Sequence, residues 1–215
     1  MKPLTRKMIV TLIITGVVSP CFSDDENQRK RVITPIAWAM PNQEATVYGL
    51  RAGPFLTGSL HYLDPEEHLR TDVYGLSLGL LDMADDSVTG IQLATLSGIA
   101  NKIRGIQCSG FLNFVFEDTA GIQGASLGNL AGNTSGAQIA GLVNRADDMN
   151  GVQIAGGNVA MNIKGVQLGL VNLVKENTHG VQLGIYNSAG SLKGVQIGVI
   201  NFNASRYLPG LMIGW

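Results

Sequence analysis

The chain has 215 residues, with 15 basic and 16 acidic side chains, and its formal net charge at pH 7 is −1. This length suits one domain with a sizeable core, and the lack of a basic surplus argues against nucleic acid as a partner. Glycine is frequent, with 28 residues, whereas proline contributes 7 and aromatic residues make up 6%. Such a composition predicts many tight turns rather than disorder.

Residues 1–23 have the pattern of a secretory signal peptide. Basic residues at the start precede an apolar run over 8–18, and small residues around Ser23 precede a polar stretch. The apolar run is too short to cross a bilayer, which takes about 20 residues. We therefore expect export with cleavage near Ser23. Lipidation of Cys21 is the alternative, although Pro20 makes a poor lipidation site.

The next segment, 24–44, starts with charged residues and continues with the apolar sequence VITPIAWAM. A stacked array of repeats leaves apolar side chains and a strand edge bare at its first coil. We expect this segment to supply either a first strand or a cap.

Residues 45–215 form a repeat domain, with an insertion at 54–71. The repeated unit begins with the sequence GVQ[IL]G, whose first residue is here called the leading glycine. After the insertion the units are 14–16 residues long. Self-similarity at a fixed period predicts a repeat architecture. Eleven units are counted, and their leading glycines are Gly49, Gly75, Gly90, Gly105, Gly121, Gly136, Gly151, Gly165, Gly180, Gly194 and Gly210.

Within each unit, apolar residues alternate with other types, as in Val166, Gln167 and Leu168. A period of two predicts a strand, and an asparagine closes it. We predict a β-solenoid of about eleven coils whose strands pair in parallel. Aliphatic side chains would stack inside, glutamines and asparagines would form ladders along the rod, and each leading glycine would make a corner that needs a positive φ.

An antiparallel β-barrel, of the kind found in outer membranes, is the alternative fold. Leu211, Ile213 and Trp215 alternate up to a terminal aromatic residue, and many outer-membrane barrels end in this way. The units are nearly uniform in length, whereas barrel loops alternate between short and long, and aromatic residues are scarce. Both observations favour the solenoid.

The GVQ[IL]-G-[LI]-[VI]-N unit, the VYGL openings and the aromatic C-terminus with its proline resemble a family of uncharacterised bacterial surface repeat proteins. The resemblance covers roughly residues 45–215 and implies an exported envelope location and a repeat fold. It supplies no catalytic or binding residues. The units at Gly75 and Gly121 depart from the motif at Ser77 and Gly124.

Two polar clusters are candidate metal sites. The insertion contains HYLDPEEH, in which two histidines and several carboxylates could chelate a divalent ion, although a solvated loop opened by Pro65 is the favoured explanation. The acidic turns could hold Ca²⁺ between coils, but they lack the repeat signature of calcium-binding β-rolls. The insertion candidates are His61, Asp64, Glu67 and His68. The acidic turns contain Asp82, Asp85, Asp86, Glu117, Asp118, Asp147 and Asp148.

The glutamine row is the candidate binding surface, because a flat and regular array could receive a glycan or another partner. A purely structural ladder is the competing interpretation. The candidates are Gln138, Gln153, Gln167, Gln182 and Gln196. Cys108 occupies the position of an inward aliphatic residue, so we expect a small core residue.

No catalytic motif is present, and the GxG strings fall at strand positions of the repeat. We therefore predict an exported, non-enzymatic envelope or surface protein with a structural or adhesive role and no cofactor. A small outer-membrane barrel and a glycan-acting β-helix enzyme are the alternatives. Envelope components, glycans or a host surface are the candidate partners, with membrane association as a further option.

Overall fold

The computed structural model describes residues 32–38, 45–53, 71–204 and 206–215, and these residues form strands that within 71–203 are joined by two-residue turns. The strands are β1 (Val32–Trp38), β2 (Ala45–Gly53), β3 (Thr71–Gly79), β4 (Asp82–Ala94), β5 (Ser97–Ser109), β6 (Leu112–Ala125), β7 (Gly128–Ala140), β8 (Val143–Ile154), β9 (Gly157–Leu168), β10 (Val171–Leu183), β11 (Tyr186–Asn203) and β12 (Arg206–Gly214). Within this part of the chain there is no helix capable of crossing a membrane.

Strands β1 to β11 pair in parallel, each with its neighbour in chain order. Leading glycines lie opposite one another, as in the pairs of Gly165 with Gly151 and with Gly180. Parallel pairing between consecutive units defines a β-solenoid, so the predicted fold class is confirmed. The antiparallel barrel alternative is wrong.

The last strand departs from the repeat. β12 runs antiparallel to β11, with Gly210 opposite Gly198 and Met212 opposite Gln196. The unit counted at Gly210 is therefore a returning strand that covers the end of the stack rather than another parallel coil. Met212 is buried in a cluster with Ala189 and Leu192.

The leading glycines form a column of strained corners, as predicted. From Gly49 to Gly194 their φ angles lie between 134° and 145°, and that of Gly210 is 82°. A side chain would also collide with the preceding coil, since a Cβ built on Gly165 lies 1.9 Å from the carbonyl oxygen of Gly151. Only glycine satisfies both demands, because it has no Cβ and reaches these angles freely.

Two inward-facing columns are apolar along most of their length. One lies two residues before each leading glycine and includes Val88, Ile103 and Ile163. The other includes Ala146 and Ala160, which lie opposite each other in β8 and β9. These columns make up the apolar core of the rod.

The aliphatic residues beside each glutamine face outward, contrary to the prediction. Leu168 is 44% exposed and Leu170 60% exposed, whereas Gln167 between the strand neighbours Val166 and Leu168 is fully buried. Alternation places these residues on opposite faces but does not decide which face is inside. Cys108 pairs with Leu93 in this outward set and is half-buried, so its assignment to the core is wrong.

The asparagines also lie differently from the prediction. Two-residue turns, such as Gly169 and Leu170, end one strand, and Asn172 is the second residue of the next. Within segment 24–44, Val32–Trp38 forms β1, the first strand of the sheet. The predicted signal peptide and residues 54–70 of the insertion lie outside the described residues.

Candidate functional site

The glutamine row is a buried ladder rather than a surface. Gln138, Gln153, Gln167, Gln182 and Gln196 are all 0% exposed. Each Nε2 donates to the Oε1 of the glutamine one coil earlier, at 2.6 to 2.9 Å from Gln107 to Gln196. The hypothesis that these side chains present a binding surface is therefore wrong, and the structural ladder is confirmed.

A second ladder of asparagines runs beside the first, from Asn113 to Asn201. Each Nδ2 donates to the Oδ1 of the asparagine one coil later, at 2.8 to 3.1 Å. The same Nδ2 also donates to a backbone carbonyl across the turn, such as Leu183 O from Asn172 at 2.8 Å. The two ladders thus donate toward opposite ends of the rod, and within each ladder every amide oxygen except the terminal one accepts a hydrogen bond from the neighbouring coil.

At the end toward which its amide groups donate, each ladder finishes at an acceptor that is not part of the ladder. Asn201 Nδ2 donates to the carbonyl oxygen of Gly210 in β12 at 3.0 Å. Gln92 Nε2 donates to Asp85 Oδ2 at 2.8 Å. At the acceptor ends, Asn113 Oδ1 and Gln196 Oε1 receive no hydrogen bond from the described residues.

Asp85 belongs to a buried polar cluster at the N-terminal coils. Its carboxylate contacts the Arg51 guanidinium in an ion pair and accepts a hydrogen bond from Ser77 Oγ at 2.6 Å. Arg51 Nη1 also donates to Ala84 O at 2.7 Å. Burial lowers the pKa of Arg51 to about 10, so the side chain remains charged at neutral pH. This cluster caps the glutamine ladder and is structural.

The predicted metal sites receive no support from this structure. His61, Asp64, Glu67 and His68 lie outside the described residues. The described residues contain no group of three or more His, Cys, Asp or Glu side chains placed to hold a metal ion. Most acidic turn residues have protein partners instead.

Those partners are cations, hydroxyls and amides, and all but Arg145 belong to an adjacent coil. Asp82 accepts from Ser97, Asp86 from Asn101, Asp118 from Asn133 and Asp148 from Asn162. Glu117 lies 2.9 Å from Lys102 Nζ, and Asp147 lies 3.8 Å from Arg145. The hydrogen bond to Glu117, aided by its charge, raises the pKa of Lys102.

A groove of about 760 Å³, here called the polar groove because most of the side chains that border it are polar, runs along the outside of β6 to β10. Two outward rows border it, one on each side of the inward-facing column that contains Thr134 and Met149. The acidic and amide row consists of Asp118, Asn133, Asp148, Asn162 and Asn177. The second row consists of Ala120, Ser135, Asn150, Lys164 and His179.

The acidic and amide row is ordered by hydrogen bonds between coils. Asn133 Nδ2 donates to Asp118 Oδ1 at 3.1 Å, and Asn162 Nδ2 donates to Asp148 Oδ1 at 2.9 Å. Asn177 Nδ2 donates to Asn162 Oδ1 at 2.8 Å. Because coils are spaced by about 4.8 Å, the groove presents donors and acceptors at that interval.

The coil spacing separates the candidate chemical groups of the groove. Asp118 and Asp148 are two coils apart, or about 9.6 Å, which is at the upper limit of the separation of about 5 to 9.5 Å between paired catalytic carboxylates. Ser135 and His179 are three coils apart, or about 14 Å, and so cannot share a hydrogen bond. The arrangement suits reversible binding.

The sequence did not identify this groove, because its residues vary from coil to coil and follow no motif. Their shared signal is position: they lie one and three residues before each leading glycine. A scan against protein-family models, a search of curated proteins and a search of solved structures each gave no match.

Proposed function

We propose that this chain is an exported, non-enzymatic envelope protein that uses its polar groove to bind an extended, hydroxyl-rich polysaccharide. The observation that carries the proposal is the pair of polar rows along β6 to β10, with amides and carboxylates at the interval of one coil. A sugar unit in an extended glycan has a length close to this interval. Successive hydroxyls could therefore meet equivalent partners in successive coils.

The side chains fit hydroxyl recognition. Amide groups donate and accept, carboxylates accept, and all of these groups lie on a regular backbone that needs little reordering on binding. Asn133, Asn162 and Asn177 are already held by the neighbouring coil. Holding the groups in advance lowers the entropic cost of binding, which favours a weak but repeated interaction over several coils.

Export is the second part of the proposal. Its support is the sequence of residues 1–23, with basic residues, an apolar run and small residues in the order of a signal peptide. N-terminal sequencing of the protein recovered from the envelope fraction tests it. A mature chain beginning near Asp24 is expected, and an intact Met1 would contradict export by cleavage.

Affinity gel electrophoresis tests binding by the groove. Soluble glucan, xylan, mannan and peptidoglycan glycan strands are cast into native gels, and retardation by at least one of them is expected. The groove variant N150A/K164A/H179A removes three exposed side chains of the second row and should lose most of the retardation.

The matched control is R145A/K175A/E176A, which removes three exposed side chains outside the groove. It should migrate in the polysaccharide gel as the wild type does. Failure of every polysaccharide to retard the wild type would refute the proposed function. Equal retardation of the groove variant and the wild type would place the binding elsewhere.

A further inference from the structure

A face without charge adjoins the groove across the column of leading glycines. In the eight coils that begin at Gly90 to Gly194, no Asp, Glu, Lys, Arg or His occurs between the leading glycine and the asparagine column. The outward side chains of this stretch, which includes the two-residue turns, are here called the apolar face. Its most exposed members include Leu142, Leu170 and Val199, at 60 to 64%.

The apolar face is large for a surface in contact with water. Eight coils at about 4.8 Å per step give a strip about 34 Å long. Seventeen large apolar side chains on this strip are more than one-third exposed. Together they expose on the order of 1,000 Å², whereas apolar patches on monomeric proteins rarely exceed a few hundred Å².

The backbone under this face is already satisfied. The turns bond from coil to coil, with Leu142 N to Leu127 O at 3.0 Å, Leu170 N to Gly156 O at 2.9 Å and Ile185 N to Leu170 O at 2.9 Å. An unsatisfied peptide group costs several kcal/mol in hydrocarbon, so this bonding is what contact with acyl chains requires. An ordinary loop would leave such groups open.

The rows on either side of the face carry only positive charge. The row just before the leading glycines contains Arg104, Lys164 and Lys193, together with His179, and no acidic residue. The row just after the asparagine column, from Ile99 to Ser188, contains Arg145 as its only charged residue. The carboxylates of these coils lie three or four residues before the leading glycines, at Glu117, Asp118, Asp147, Asp148 and Glu176.

We infer that the apolar face docks on the surface of an anionic lipid leaflet, with its aliphatic side chains among the acyl chains and its basic flanks at the headgroups. Lysine and arginine beside an apolar surface are typical of proteins that lie in a membrane interface. The solenoid would lie with its axis parallel to the membrane, and the second row of the groove, which contains Lys164 and His179, would lie at the headgroup edge of the contact.

A second copy of the chain fits the same face less well. Packing two apolar faces together would bring the positive flanks of both copies close to each other, with no acidic row to compensate them. Protein interfaces also carry about one hydrogen bond per 100–200 Å², whereas from Gly136 onward the only polar outward side chain of the face is that of Tyr186.

Vesicle flotation tests the inference with the full-length chain. Vesicles of phosphatidylcholine with phosphatidylglycerol should carry the wild type upward, and vesicles of phosphatidylcholine alone should carry less. The fraction of L142E/L170E that floats should be lower than that of the wild type by at least about tenfold, because two carboxylates would enter the acyl region. The control M161E/S191E adds the same charge at exposed positions outside the face and should float as the wild type does.

A fluorescent probe gives a second readout that depends on position. An environment-sensitive fluorophore on L142C, in a background with C21S and C108S, should shift to the blue when anionic vesicles are added. The same fluorophore on M161C should not shift. These measurements use no polysaccharide, so their outcome is independent of the proposed binding by the groove.

Several results would overturn the inference. They are failure of the wild type to float with anionic vesicles, equal blue shifts at positions 142 and 161, and equal loss of flotation in L142E/L170E and M161E/S191E. A wild type that sediments as a dimer, ignores vesicles and becomes monomeric as L142E/L170E would assign the face to a second copy instead.

Discussion

The interior of this solenoid beside the two-residue turns is more polar than the apolar face on its outside. Gln167 and Asn172 are fully buried, while Leu168 and Leu170 between them are about half exposed. Most globular proteins have the reverse arrangement. The comparison shows that an identical partner one coil away can make a buried amide acceptable, because each donor meets an acceptor at a fixed position.

The ladder also explains where the aliphatic residues go. Two inner columns bury apolar residues such as Ile163 and Ala160, and the ladders fill the space beside the turns. The aliphatic residues that flank each glutamine are on the other face of the strand and therefore lie outside. Variants that exchange inner and outer properties test this comparison directly.

The largest effect is expected at the leading glycines. Gly165→Ala places a Cβ against the backbone of the preceding coil at a φ of 144°. We expect a loss of more than about 4 kcal/mol in the free energy of unfolding, or failure to fold. Gly157→Ala in the same coil is the control, because its Cβ would meet nothing closer than 3.7 Å. Comparable losses for both variants in urea unfolding would contradict the account.

The capped end of the glutamine ladder should be the next most sensitive site. Asp85→Ala leaves Arg51 buried without its counter-ion and leaves a Gln92 donor without its acceptor. Removal of one partner of a buried ion pair typically costs about 3 to 5 kcal/mol. Asp86→Ala, next in sequence but only partly buried, should cost less than about 1 kcal/mol. Thermal unfolding of both variants measures the difference, and equal losses would refute the capping role.

An interruption within the ladder should cost less. Gln153→Leu keeps a similar volume but removes the oxygen that accepts a hydrogen bond from Gln167 and the nitrogen that donates one to Gln138. Two buried polar groups lose a partner, so we expect a loss of about 2 to 3 kcal/mol. The outward neighbour change Ile154→Gln should stay within about 0.5 kcal/mol. Chemical denaturation that ranks these two variants in the opposite order would contradict the inside-out arrangement.

The smallest effect concerns a buried hydroxyl. Thr134 Oγ1 is buried and has no hydrogen-bond partner among the described residues. Thr134→Val removes the desolvated hydroxyl at nearly constant volume and should stabilise the fold by about 0.5 to 1 kcal/mol. Thr134→Ser keeps the hydroxyl but loses a buried methyl group, so it should destabilise the fold. A fall in melting temperature for Thr134→Val would show that the hydroxyl has a partner.

The repeat period and the corners were predictable because both follow from backbone geometry. Gly151 and Gly165 pair as their spacing predicts, and the leading glycines adopt positive φ. The inner face was not predictable from hydrophobicity, since alternation is symmetric between faces. A usable signal was present in the repeat itself: glutamine recurs in successive units, whereas the next position varies from Leu93 to Cys108 and Gly124.

The groove and the ladder cap escaped prediction for a different reason. Arg51 and Asp85 are 34 positions apart, and only the register of β2, β3 and β4 brings them together. Arg51 stands in the glutamine column, and Asp85 stands in a column that is otherwise apolar in the later coils. Opposite charges at two inner columns near the start of the stack were the available signal.

The central claim is that the glutamines lie inside and the neighbouring aliphatic residues lie outside. Its most direct measurement compares the rates at which a water-soluble maleimide labels Q167C and L168C, each in the C21S/C108S background and with folding verified by circular dichroism. We predict rapid labelling of L168C and labelling slower by about a hundredfold for Q167C, because the buried position requires local opening of the fold. Equal rates, or faster labelling of Q167C, would contradict the claim.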